Sequence, residues 1–517
     1  MFSSVTTGAV YGVKSYLMQV ETDIADGLPS FSMVGFLSGE VKEAGERVRV
    51  ALRNAGVNLP PSRVTVNFAP AEIPKRGMVV DLPVAVGILV SLGVVPQEAI
   101  RGVLVAGELG LAGEVKPVRG VLPIVEEAAR NGVSLCLLPR ANLAEGAVVQ
   151  GVKAVGVRSL QEAMAYLLAD GERRDKLLPP GRVDLEALFA GRDGQEQPDF
   201  SQIHGQSGVK RVLEIAAAGF HNVLMVGPPG SGKTMLAKRL PGILPPLSLA
   251  ESMDVSTIYS VAGQLPEGAA LLTRRPFLAP HHSITRQALA GGGAVPRPGV
   301  ISLAHRGVLF LDELPEFGRE TLNLLRQPIE DHEIQIARSA GTFRYPARFM
   351  LAAAMNPCPC GYFPDRNRCR CTPAKINRYL QRVSGPVLDR IDLSVEAPRV
   401  EMDELLCRRP EESSARIRER VMAAQERQRA RRRGERFCFN ADMDAQETER
   451  CCPLGAAQEA FMRSLFSRME LSARAYHRIL KVARTIADLE DAPQIREEHL
   501  AEAAGYRTGG EKYWKAQ

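Results

Sequence analysis

The chain has 517 residues, enough for roughly two to four domains, each with its own core. Its 45% hydrophobic and 24% charged residues exclude a disordered, fibrous or disulfide-scaffold class. A net charge of +6 is too small at this length to argue for nucleic acid by itself, so any basic footprint must be local. The amino terminus lacks a basic segment followed by an apolar core and a small-residue cleavage site. The longest apolar stretch, residues 82–95, is too short and interrupted to span a bilayer and reads as a buried helix. The expectation is a cytoplasmic protein with reduced cysteines and no membrane partner.

Residues 1–170 alternate strand-like runs (16–20, 64–68, 103–106, 135–138) with helical patterns (41–55, 121–131, 160–168), which predicts an α/β or α+β domain. Residues 171–199 turn polar, with Pro179, Pro180 and Gly181 among them, and read as an exposed connection. Residues 200–400 read as a nucleotide-binding domain. A helix over 205–218 precedes the apolar run 223–226, and that run leads directly into Gly227, Pro228, Pro229, Gly230, Ser231, Gly232, Lys233 and Thr234. Between strand and helix signals this is a phosphate cradle. Its glycines let backbone N–H groups converge on phosphate oxygens, Lys233 reaches the β and γ phosphates of ATP, and Thr234 offers a hydroxyl to Mg²⁺.

A second buried run, 308–311, delivers Asp312 and Glu313 at its end, where an α/β sheet places ligand-binding groups. Asp312 is placed to hold Mg²⁺ and Glu313 to orient water, the pairing of a motor that hydrolyses ATP repeatedly. A third run, 349–354, ends at Asn356, which is placed to reach between γ-phosphate and water. Residues 333–348 read as a hairpin carrying Arg338, Arg344 and Arg348. Arg366, Arg368 and Arg370 add a second basic tip. Arginine contacts to phosphate need no sequence reading, which suits a motor on DNA. The competing reading is a solvated charged face, especially for the arginine-rich segment 408–436, which carries several glutamates.

Nine cysteines are present, and Cys358, Cys360, Cys369 and Cys371 form Cys-x-Cys followed closely by Cys-x-Cys. Four thiolates in one short loop suffice for a closed tetrahedral Zn²⁺ site. The alternative is unliganded loop cysteines, because the common structural spacing is Cys-x₂-Cys. His281 and His282 are assigned no ligand role. Residues 401–517 read as a helical lid.

The phosphate loop, then Ala279-Pro-His-His282, Gly291-Gly-Gly293, Pro296-Arg-Pro-Gly299, the run from Gly307 to Phe317, Asn356-Pro-Cys-Pro-Cys360 and the run from Gly385 to Asp392 resemble the magnesium-chelatase-like AAA+ ATPases of the ComM/YifB type. The resemblance implies a P-loop AAA+ core with a helical lid, assembled as a homo-oligomeric ring, a hexamer, with ATP between subunits. It makes Asn356 the first sensor, Arg390 the arginine finger and Arg474 the lid sensor. It also connects the chain with DNA branch migration in natural transformation. For each arginine, a surface ion pair is the alternative. The amino-terminal domain resembles the S5-like proteolytic domain of the Lon family. Val84 stands where a protease has its serine, however, and Gly120-Val121-Leu122 offers no lysine, so a non-proteolytic domain is expected. Two other classes stay open, a chelatase-like or protein-remodelling ATPase subunit and an ATP-dependent protease.

Overall fold

A computed structural model describes residues 1–35, 38–71, 79–190, 198–293, 296–338, 341–365, 367–383, 385–403, 411–431 and 439–515. The fold is mixed α/β, built on two large sheets. The first has seven strands in the order Ser30–Val34, Arg63–Ala69, Lys14–Ala25, Phe2–Tyr11, Val103–Val105, Leu135–Pro139 and Lys153–Val157. Antiparallel pairing joins its first long hairpin, and parallel pairing carries it on through Val103–Val105. The apolar stretch expected as a buried helix forms Asp81–Ser91, every residue of which is buried. Val84 and Leu122 are both fully buried apolar side chains, so neither protease position carries a proton to move.

The stretch expected as a bare connection is more ordered than its polarity implies. It carries the helices Gly171–Leu177 and Leu185–Ala190. Leu185, Leu188 and Phe189 recur at helical spacing and pack with Leu122, Val148 and Leu271. The Gly191 to Gly194 part of that connection lies outside the described residues.

The second sheet is wholly parallel, in the order Phe277–Leu278, Val308–Leu311, Met350–Met355, Val223–Val226 and Leu393–Glu396. Every residue of its three central strands is buried. A parallel sheet covered on both faces needs unbroken apolar runs, which is why these were conspicuous in the sequence. After residue 411 the described chain is helical, in Ser414–Arg431, Ala445–Cys451, Ala456–Met469, Ala473–Leu489 and Glu497–Lys515. Ile417, Ile479 and Leu500 from these helices share one core with Val223 and Phe310. Among the described residues, no helix is long and apolar enough to cross a membrane.

Candidate nucleotide site

Three adjacent parallel strands end side by side and deliver the chemistry together. Val223–Val226 runs into the loop, Val308–Leu311 into Asp312 and Glu313, and Met350–Met355 into Asn356. Gly230 and Gly232 adopt φ of 75° and 81°, a conformation that costs a side chain about 1 kcal/mol or more but that glycine takes freely. Lys233 begins the next helix, Lys233–Ala237.

The Lys233 ammonium donates to Gly227 O and Pro228 O, each at 2.8 Å, and to Ser231 Oγ and Asn356 Oδ1, each at 3.3 Å. Burial pulls its pKa below the ordinary lysine value, and the Asp312 charge opposes that shift. Thr234 donates its hydroxyl to Asp312 Oδ2 at 2.6 Å. A hydroxyl and a carboxylate oxygen this close are the donor set that a Mg²⁺ ion, with its oxygen preference, would bridge. The loop's fit to a triphosphate rests on Lys233, whose hydrogen bonds all go to neutral oxygens, and on Gly230 and Gly232, exposed and half-buried at the loop's tip.

Glu313 is exposed and holds φ of 51°, a left-handed conformation uncommon for a side chain of this length. Its carboxylate lies 3.6 Å from Nδ1 of His282, whose ring meets Phe317 edge-on. Spacing in the sequence does not announce this neighbour. The tertiary fold does: the short parallel pairing of Phe277–Leu278 with Val308–Leu309 leads both segments out at the same edge of the sheet, where His282 and Glu313 meet. Gln206, also missed, donates Nε2 to Ser231 O at 3.3 Å and to Pro398 O at 2.6 Å, bracing the loop from below. Gln206 Oε1 and, two residues earlier, His204 Nδ1 are buried without a hydrogen-bond partner.

Arg390 and Arg474 do not join the phosphate loop within the chain. Arg390 is buried, with one guanidinium nitrogen on the Glu330 carboxylate and Nη1 donating to Pro386 O at 2.5 Å. The Arg390 hydrogen bond holds the Glu330 carboxyl below its ordinary value, and the charge of exposed Arg474 adds to the effect. Arg390 thus pairs directly with Glu330, and Arg474 acts on that carboxylate only through its charge. Just beyond them, Asp392 accepts from the Asn222 N–H at 3.0 Å and lies 3.6 Å from His221 and 3.7 Å from Arg478.

The hairpin expected before the third strand forms from Glu333–Arg338 and Gly341–Pro346. Arg338 and Arg344 are exposed on it, and Phe343 packs against Tyr11 of the first strand with ring centroids 4.3 Å apart and the rings tilted by 34°. Arg348, read in the sequence as part of this basic group, is turned inward. Its guanidinium pairs with Asp442 and lies over Phe439. Arg368 and Arg370 are exposed, and Arg366 lies outside the described residues. Along Ser414–Arg431 three of the six arginines are in ion pairs: Arg420 with Glu214 and Glu412, Arg427 with Asp491, and Arg431 with Asp488. The rest of that segment, 408–410 and 432–436, lies outside the described residues. Cys358, Cys360, Cys369 and Cys371 converge, with all four Sγ atoms within 4.8 Å of one another.

Residues 199–405 match the family model described as magnesium chelatase, subunit ChlI. Residues 20–142 match the model of subunit ChlI of Mg-chelatase, and residues 411–507 that of its C-terminal part. The chain is 42% identical over 500 residues to the competence protein ComM of Haemophilus influenzae, covering 96% of each chain. It is 42% identical over 508 residues to YifB of Escherichia coli, covering 98% of this chain and 97% of that one. A weaker similarity, 26% over 188 residues, reaches Lon protease 2 of Bacillus subtilis, about a third of either chain (32% and 33%).

Proposed function

For a chain that belongs to the magnesium-chelatase-like family of ComM and YifB, we propose an ATP-driven ring motor that acts on DNA. The observation that carries this is the junction of Lys233 with Asn356 and of Thr234 with Asp312 at the ends of adjacent strands. In this reading residues 1–170 form a Lon-like, non-proteolytic domain, 171–199 a linker, 200–400 the AAA+ core and 401–517 the lid. Lys233 and the N–H groups of the loop neutralise phosphate oxygens, and Thr234 and Asp312 hold Mg²⁺, which supplies charge neutralisation when bound. Glu313 orients the attacking water, and Asn356 bridges from its strand end towards it.

Arg390 is paired with Glu330, and among the described residues neither Arg390 nor Arg474 has a hydrogen bond or ion pair with the phosphate loop of its own chain, which supports a role at the site of a neighbouring copy. Charge accumulating on the transferring phosphoryl group is then met by a guanidinium from the next subunit, so hydrolysis depends on assembly of the ring, which we take to be a hexamer. The exposed Arg338 and Arg344 of the hairpin supply sequence-independent phosphate contacts. The relative's name, a competence protein, supports branch migration of incoming DNA as the setting. The four thiols are read as a Zn²⁺ site.

The deciding experiment measures ATP hydrolysis by purified protein with and without single-stranded, forked and four-way DNA, repeated as salt rises. Stimulation that collapses with salt is expected. Steady hydrolysis unaffected by every DNA removes the helicase and leaves the chelatase-like, protein-remodelling ATPase, which the family models for chelatase subunits favour.

A further inference from the structure

We infer that Cys358, Cys360, Cys369 and Cys371 hold one Zn²⁺ ion that braces the nucleotide site, fixing Asn356 and the tip of the phosphate loop against each other. The inference deepens the ATP-binding reading above and rests on it.

The sulfur geometry is that of a closed metal site. Cys358 Sγ lies 3.3 Å from Cys360 Sγ and 3.8 Å from Cys369 Sγ, and the last two are 3.6 Å apart. Four thiolates around an ion at about 2.3 Å place their sulfurs about 3.8 Å apart at the corners of a tetrahedron. A disulfide needs about 2.05 Å, which none of these pairs approaches. Soft thiolate ligands with no oxygen donor among them select zinc over magnesium. Cys358, Cys369 and Cys371 are buried, and the Phe363 N–H donates to Cys358 Sγ at 3.4 Å, the kind of outer contact that orients a metal ligand. The described residues between 358 and 371 form no helix or strand, so backbone hydrogen bonding alone gives this loop little rigidity.

The loop touches the nucleotide site on two sides. Cys358 follows Asn356 by two residues, and Asn356 Oδ1 accepts from Lys233 Nζ at 3.3 Å. The preceding residue, Met355, accepts the Gly227 N–H at 3.1 Å. On the other side, Gly361 lies directly on Pro229 of the phosphate loop. A Cβ at Gly361 would come within 2.4 Å of Pro229 Cδ, and the backbone there has φ of +84°. Only glycine allows this approach. Tyr362 then lies between Arg368 and Arg399, at 5.3 and 5.4 Å from its ring, with Arg399 Nη2 donating to its hydroxyl at 3.2 Å. An ion bound by Cys358 and Cys360 therefore fixes the sensor asparagine on one side and the seat of Pro229 on the other.

The test uses the full chain, expressed with zinc, and reads metal content by mass spectrometry and affinity for a fluorescent ATP analogue by titration. About one zinc per chain is expected, lost in the Cys369→Ser/Cys371→Ser variant. Chelated wild-type protein, shown folded by circular dichroism, should bind the analogue on the order of tenfold more weakly and recover on reloading with zinc. Gly361→Ala should keep its zinc and lose affinity by a similar factor. Absence of zinc from the wild type, or zinc retained by the double variant, overturns the site. Equal analogue affinity with and without zinc overturns the brace. If the double variant fails to fold, the chelation and reloading cycle decides alone. Zinc-loaded wild type that binds no analogue defeats the phosphate-loop reading instead, with the metal site intact.

Discussion

Asp81 and Lys233 each open a helix, each is buried, and the chain satisfies them in opposite ways. In the amino-terminal region Asp81 receives Arg47 through two parallel hydrogen bonds, at 2.9 and 3.0 Å, with the Leu109 N–H as a third donor at 3.3 Å. A negative charge at the start of a helix also agrees with the helix dipole. In the ATPase region Lys233 has the wrong sign for its position, and its hydrogen bonds all go to neutral oxygens. A buried charge with a complete counter-ion is structural. A buried charge whose hydrogen bonds all go to neutral dipoles, with the Asp312 carboxylate near but not bonded to it, is in place for an anion still to arrive.

The sharpest way to break this comparison is to remove the two side chains in turn. Lys233→Ala should abolish nucleotide binding in a titration with a fluorescent ATP analogue while leaving the melting temperature close to wild type. A variant that still binds at wild-type affinity would return Lys233 to the structural class. Arg390 sits between the two cases, buried and yet paired to the exposed carboxylate of Glu330. Arg390→Ala should keep nucleotide affinity and lose about 10³-fold or more in hydrolysis. Mixing it with Lys233→Ala subunits should restore part of the rate, because each supplies what the other lacks. Mixtures as inactive as the separate variants would confine Arg390 to its own chain.

Glu313→Gln should lower turnover by about 10²- to 10⁴-fold with ATP still bound, measured as trapped nucleotide after gel filtration. Normal turnover would assign the water to another group, and His282, at 3.6 Å from the Glu313 carboxylate, is the first to examine. On the other side of the comparison, Arg47→Ala leaves Asp81 buried without its partner and should cost about 3–5 kcal/mol of stability in chemical denaturation. The folded fraction should bind nucleotide as before. Affinity that fell in step with stability would mean the two regions are not independent.

What the sequence disclosed follows from the same physics. That Lys233, Thr234, Asp312, Glu313 and Asn356 come together was legible because parallel strands are unbroken apolar runs whose ends share one edge of the sheet. The strand Phe2–Tyr11 was not, because Ser3 and Thr7 are among its buried residues, Ser3 donating to Gly87 O at 2.8 Å, and polar residues facing inward defeat an apolar count. The pairings of Arg390 with Glu330 and Arg348 with Asp442 join residues 60 and 94 apart, and no local pattern encodes them. Nor does Gly361 reveal from its neighbours that it rests on Pro229.

The smallest of these effects tests how the carboxy-terminal helices are joined to the parallel sheet. Burial pushes the Asp392 carboxyl up, but His221, Arg478 and the Asn222 N–H outweigh it and hold the group down at about 2. A carboxyl depressed in the folded state contributes stability that is present above its unfolded pKa and lost as pH falls through the folded one. The window therefore runs from about pH 4 down to about pH 2, and the contribution above it is roughly 2 kcal/mol. Asp392→Asn should be less stable by that amount at neutral pH, and denaturation curves of the two proteins should converge as the pH approaches 2. Asn222 donates Nδ2 to Arg390 O at 2.9 Å and Arg478 donates to Ile391 O at 3.3 Å, so the same joint fixes the backbone that carries Arg390. Hydrolysis by the assembled protein should accordingly fall in Asp392→Asn while nucleotide affinity holds. A variant with wild-type turnover would show that Arg390 is positioned by Glu330 and Pro386 alone.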